Sequence, residues 1–194
     1  MSTIPASSIT APAVTVACIV LAVLLVWIVV AFNRLIRRRN LMREGWSGID
    51  VQLKMRRNLI PNLVEAVKGY SEHEKAALER IAVLRSQGEK AADVAEANAS
   101  ENALTRQIKG LFALAERYPD LKASKNFIEL QEQLAEIEDQ IQMARRYYNG
   151  AVRNYNTLAQ SFPSNLVAGV FGFRRGEFFE IETATDRQVP EVEI

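Results

Sequence analysis

Histidine and cysteine are nearly missing from this chain of 194 residues, with one of each. The lone cysteine, Cys18, lies in an uncharged apolar stretch, so no intrachain disulfide is possible, which fits a reducing compartment. The lone histidine opens His73-Glu74-Lys75-Ala76-Ala77, the start of a zinc-protease motif without its second histidine. A zinc site built by this chain would need carboxylates almost alone, so no metal is expected. No glycine-rich phosphate loop follows a strand, and no serine sits in a nucleophile elbow. Glu129, Glu132, Glu136 and Glu138 read as solvated helix-face carboxylates rather than an acid–base pair. No alternating strand pattern and no internal repeat occur. The net charge of +1 supplies no global field for nucleic acid. The expectations are no catalytic residue, no cofactor and no small-molecule substrate.

What is present begins with Ala13 to Asn33, which carries no charged side chain. About 20 apolar residues at 1.5 Å rise each cover the ~30 Å hydrocarbon core of a bilayer. Arg34, Arg37, Arg38, Arg39 and Arg43 follow before the first acid, Glu44. The pattern predicts one transmembrane helix with a basic collar at its end. A cleaved signal peptide would carry its basic residues before the apolar run. The positive-inside rule places Arg34 onward in the cytoplasm and the N-terminus outside. Met1 to Pro12 is short, uncharged and rich in Ser, Thr, Ala and Pro, and is expected to be disordered. The other end is acidic: Glu177, Glu180, Glu182, Asp186, Glu191 and Glu193 stand against Arg187 alone.

Between the ends lie three runs with apolar residues at steps of three and four. The first is Trp46, Ile49, Leu53, Arg56, Ile60, Leu63, Val67, Tyr70, Glu74, Ala77, Ile81, Leu84, interrupted only by Arg56 and Glu74. It reads as an extension of the membrane helix to about Ser86, with Gly88 as its C-terminal cap. Pro61 removes a donor and clashes one turn back, so a kink is expected near Arg57 to Pro61; Gly69 is a second weak point. The second run is Ala97, Glu101, Leu104, Ile108, Leu111 and Ala115, stopped by Tyr118-Pro119-Asp120. The third is Phe127, Leu130, Leu134, Ile137, Ile141, Ala144, Tyr148, Ala151, Tyr155, Leu158, Phe162. Ser124 is its expected N-cap and Pro163 its end. A short helix from Leu166 to Phe171 follows.

The expected fold is all-α: one N-terminal transmembrane helix continuing into an antiparallel bundle of three long helices plus a short C-terminal helix. Its parts are a tail (1–12), the span (13–33), a cytoplasmic bundle (34–179) and an acidic flexible end (180–194). Three long helices that leave, return and leave again would carry Phe162-Pro163 far from the bilayer. Phe171, Phe173, Phe178 and Phe179 would then pack on the distal bundle or on a neighbouring subunit. A sharp reversal at Pro61 would instead bring them down to the lipid. Arg56 and Glu74 read either as polar interruptions that fix helix register or as contacts at a partner surface. Tyr148-Asn149 and Tyr155-Asn156 repeat one heptad apart, with the rings packing and the amides hydrogen-bonding beside the seam.

Several of these stretches resemble the LemA family. They are Trp46, Ile49-Asp50-Val51-Gln52-Leu53, Arg56-Arg57, Leu59-Ile60-Pro61-Asn62-Leu63-Val64, Val67-Lys68-Gly69-Tyr70 and His73-Glu74. Later come Tyr118-Pro119-Asp120-Leu121-Lys122-Ala123, Phe127, Leu130-Gln131, Ala144-Arg145-Arg146, Tyr148-Asn149, Val152, Tyr155-Asn156, Phe162-Pro163, Asn165 and Phe171-Gly172-Phe173. The likeness runs from about Asn33 to Phe179. The resemblance implies a bacterial inner-membrane protein with one N-terminal span and a cytoplasmic helical bundle, and brings no catalytic residue, cofactor or substrate. The function expected first is a membrane-anchored helical interaction module that self-associates. The alternative is an accessory subunit that positions a membrane enzyme or protease; an enzyme in its own right ranks last.

Overall fold

The computed structural model describes residues 7–68 and 75–180, with side chains from residue 14 onward. All elements among the described residues are helices: α1 (Ser7–Lys68), α2 (Lys75–Lys90), α3 (Val94–Ala115), α4 (Pro119–Lys122), α5 (Lys125–Gln160) and α6 (Ser164–Val170). Residues 173–180 form an irregular arm after α6. The chain divides into two compact units, Met1–Leu41 with Arg153–Gly176 and Met42–Val152 with Glu177–Ile194.

The second unit is a four-helix bundle. One core cluster joins Ile60, Leu63 and Val67 of α1 to Leu78, Ile81 and Leu84 of α2, Leu104, Ile108 and Leu111 of α3, and Phe127 and Leu134 of α5. The other joins Ile49 and Leu53 to Ala97, Ile141, Tyr148, Val152 and Phe179, with Ala91 and Val94 packed against it. Along α1 and α3 the chain passes from the second cluster to the first; along α5 it passes the other way. α2 runs back beside α1, because its Gly88 carbonyl lies 3.4 Å from Arg57 Nη1. The order is therefore up, down, up, down. Each fully buried Leu or Ile in these stripes contributes about 1.5–3 kcal/mol of apolar burial.

Here the structure corrects the sequence reading. The run from Trp46 to Leu84 is two helices, not one. α1 is continuous through Pro61, which is exposed, and ends at Lys68; α2 starts at Lys75. Gly69, Tyr70, His73 and Glu74 lie outside the described residues. One added reversal changes the direction of every later helix, so α5 ends beside the arginine-rich stretch of α1 rather than at the far tip. α1 begins at Ser7, so six residues expected to be disordered are helical. Residues 181–194, most of the acidic end, lie outside the described residues.

Local signals explain several boundaries. Asp93 caps α3 by accepting from the Glu96 N–H at 2.8 Å, and the Glu96 carboxylate reaches back to the Ala92 N–H at 2.9 Å. Pro119 occupies the first turn of α4 after the break at Tyr118. Gly88 is not a terminator: α2 continues to Lys90 and Gly88 is buried. A Cβ there would stand 2.9 Å from Glu101 Oε1, so a side chain would displace the carboxylate.

The first unit holds the apolar start of α1 with the end of α5, α6 and the beginning of the arm. Only 6% of the most apolar 18-residue window of α1 is buried. A core helix of a water-soluble domain would be mostly covered. This one is long and apolar enough to cross a membrane, and its apolar surface is bare. Burial starts at Ala31 and Leu35, where α5, α6 and the arm pack. Ser164 does not cap α6 but donates to the Leu158 and Ser161 carbonyls at 2.6 and 2.9 Å. Gly172, at φ +69°, turns the chain out of α6 into the arm.

Candidate functional site: a buried charge network and a clamped arm

Within the bundle, the two seam positions that break the apolar pattern of α1 and α3 meet. Arg56 is 2% exposed and Glu101 1% exposed. Arg56 Nη2 pairs with Glu101 Oε2, and Arg56 Nη1 donates to Thr105 Oγ1 and Glu138 Oε2, both at 2.9 Å. Arg57 Nη1 donates to the other Glu101 oxygen at 2.5 Å, and Arg57 Nη2 lies 3.6 Å from Asp50. Gln142 holds the second Glu138 oxygen at 3.2 Å. Two cations thus share one fully buried carboxylate, with Glu138 as a half-buried second. α1, α2, α3 and α5 all contribute atoms. The Nε atoms of both arginines are buried without a hydrogen-bond partner, a desolvation cost the network carries. Arg56 therefore serves inside the bundle. The sequence placed it on a seam, but nothing in its spacing marks Glu101 as its partner 45 residues away.

The Tyr-Asn repeat of α5 grips the arm. Tyr148 OH donates to the Glu177 carbonyl at 2.8 Å. Asn149 Nδ2 donates to the Phe179 carbonyl and Asn149 Oδ1 accepts the Phe179 N–H, both at 3.0 Å. One heptad on, Tyr155 OH donates to the Arg174 carbonyl at 2.7 Å. Asn156 makes the same two-way pair with Gly176, at 2.9 and 2.8 Å. A primary amide offers a donor and an acceptor on one edge, so each asparagine satisfies one arm residue as a neighbouring strand would. Asn102 adds a bond to the Glu180 carbonyl at 3.1 Å. Burial pushes the Tyr148 hydroxyl up from 10.0 to about 12, helped by the nearby Glu177 carboxylate. Burial also raises Tyr155, with Arg39 opposing it.

The four tail phenylalanines separate. Phe179 is buried against Trp46, ring centroids 5.6 Å apart, and Phe178 packs at the edge of the same cluster. Phe171 and Phe173 meet Phe32, with centroids at 4.9 and 5.6 Å. The Arg39 guanidinium lies 5.2 Å over the Phe173 ring. Phe171 and Phe173 therefore sit at the end of the apolar run, not at a distal tip as the helix count implied. Of the other collar residues, Arg34, Arg37, Arg38 and Arg43 are exposed. The first three line an open cleft of about 870 Å³ with Leu41, Asn154, Thr157, Leu158 and Ser161. Among the described residues, no group of three or more His, Cys, Asp or Glu is placed to hold a metal.

Known proteins are similar to parts of this sequence. The LemA protein of Metamycoplasma hominis is 29% identical over 140 residues, 70% of this chain and 63% of that protein. Magnetosome protein MamQ 2 of Paramagnetospirillum magneticum is 34% identical over 88 residues, 45% of this chain and 31% of its own length. MamQ of Magnetospirillum gryphiswaldense is 30% identical over 88 residues, again 45% and 31%. The chain thus spans less than two thirds of each of these relatives. Their names carry no enzymatic activity. The family model for LemA matches residues 45–194, from the start of the bundle through the acidic end, which the sequence reading had left outside the pattern. On that match, the chain belongs to the LemA family.

Proposed function

We propose that this protein is a non-enzymatic, single-pass scaffold of the cell's inner membrane, with its N-terminus outside, its bundle in the cytoplasm, and self-association as its mode of action. The observation that carries the reading is α1. One unbroken helix supplies both the bare apolar run and the core residues Ile49 to Val67 of the bundle. Five arginines on one side of the run and none on the other support the orientation. Val51, Met55, Met143 and Tyr147 remain exposed on α1 and α5 and supply apolar surface for a second copy.

The test is the mass of the detergent-solubilised full chain. A discrete homo-oligomer is expected. A monomer that co-purifies with other membrane proteins at fixed stoichiometry would replace self-association by the accessory role.

A further inference from the structure

α6 is folded with the wrong face inward for a helix in water. Its buried positions are Ser164, Val167 and Ala168. Leu166 and Val170, one turn apart on α6, are 59% and 81% exposed, and Phe162 before the helix and Phe171 after it are 80% and 54% exposed. Burial in a soluble bundle would select the larger side chains. The inward face carries Ser164, Val167 and Ala168, with Ser164 bonded to the Leu158 carbonyl of α5, and the large residues form an outward stripe that nothing among the described residues covers.

Two observations say what covers it. Phe171 meets Phe32 edge to face, and Phe32 is the last apolar residue before Asn33 and Arg34, which fixes this end of α6 at the boundary of the apolar run. The stripe is also bordered by exposed cations: Arg174 and Arg175 follow it, and Arg34, Arg37 and Arg38 line the cleft that reaches Ser161. An apolar stripe edged by arginines at the end of a span is the composition of an interfacial membrane helix.

We propose that α6 lies in the interfacial layer of the bilayer that α1 crosses, with Phe162, Leu166, Val170 and Phe171 among the upper acyl chains. This gives the first unit two contacts with lipid: α1 passes through and α6 rests on the surface. The inference rests on the membrane reading of α1, and the test separates the two.

The full chain carrying Cys18→Ala and one new label site, Val20→Cys, Leu166→Cys, Val170→Cys or Glu129→Cys, is labelled with bimane. It is reconstituted in phosphatidylcholine–phosphatidylglycerol vesicles containing lipids brominated near the top or near the end of the acyl chain; circular dichroism checks the fold of each variant. Labels at 166 and 170 are expected to be quenched more by shallow than by deep bromines, the label at 20 more by deep ones, and the label at 129 by neither. Quenching at 20 with none at 166 and 170 overturns the proposal and leaves the span standing. No quenching at 20 removes the membrane reading, and the proposal with it. Labels at 170 that report proximity to each other instead of to bromine assign the stripe to a second copy, which also overturns it.

Discussion

Glu101→Gln is the sharpest probe of what holds the bundle together. The substitution keeps shape and volume but removes a carboxylate that is only 1% exposed. For counter-charge Arg56 keeps Glu138, 32% exposed, while Arg57 keeps Asp50 at 3.6 Å, itself half in water, beside the neutral Gly88 carbonyl. Leaving buried cations without their counter-charge costs about 3–5 kcal/mol. At roughly 2–4 °C per kcal/mol for a chain of this size, the melting temperature should fall by about 6–20 °C. The measurement is thermal and denaturant unfolding of the full chain in detergent micelles, followed by far-ultraviolet circular dichroism, with Glu132→Gln as the exposed control. The triple variant Arg56→Met, Arg57→Met, Glu101→Leu removes both signs together and should lie within about 1–2 kcal/mol of the parent, or above it. A Glu101→Gln chain that melts with the control would refute the argument, as would a triple variant worse than the single one.

Other outcomes follow from the same contacts. Asn149→Ala removes both bonds to Phe179 and should cost about 1–3 kcal/mol, with faster amide exchange confined to the arm; unchanged exchange at Phe179 would mean the amide does not hold it. Tyr148 is neutral in the fold and its pKa is raised from 10.0 to about 12, so its contribution is fully present below pH 10. Stability should then fall as pH rises from 10 toward 12, because the unfolded chain ionises first, and Tyr148→Phe should flatten that slope in pH-dependent melts. An unchanged slope in Tyr148→Phe would assign the alkaline loss to another group. Leu134→Ala opens a cavity in a core position and should cost about 2–5 kcal/mol in the unfolding assay, against little for Glu136→Ala.

The helices themselves were legible, because each long stripe keeps its three-and-four spacing and Pro119 and Pro163 mark ends. The reversal between Lys68 and Lys75 was not. Val67, Tyr70, Glu74, Ala77 and Ile81 keep helical spacing across it, so a hairpin looks like one continuous helix. Gly69 was the only local signal, and a single glycine costs a helix only about 1 kcal/mol. From that one miss came the misplaced Phe171 and Phe173, since an odd number of reversals turns the last helix around. The Tyr-Asn repeat was visible as a motif, but its partners are backbone groups 19 to 30 residues away, and backbone carries no residue signature. Arg56 read as an interruption of its stripe and Glu101 as one more position of the second run; only packing shows that the two charges meet.

The central claim is that one helix joins an outside N-terminus to an inside bundle. Cysteine labelling with a membrane-impermeant maleimide tests it, using Cys18→Ala chains with Ser8→Cys or Glu129→Cys in cells whose outer envelope is permeabilised. Labelling is expected at position 8 before lysis and at position 129 only after it. Labelling at 129 before lysis, or at both positions alike, would contradict it.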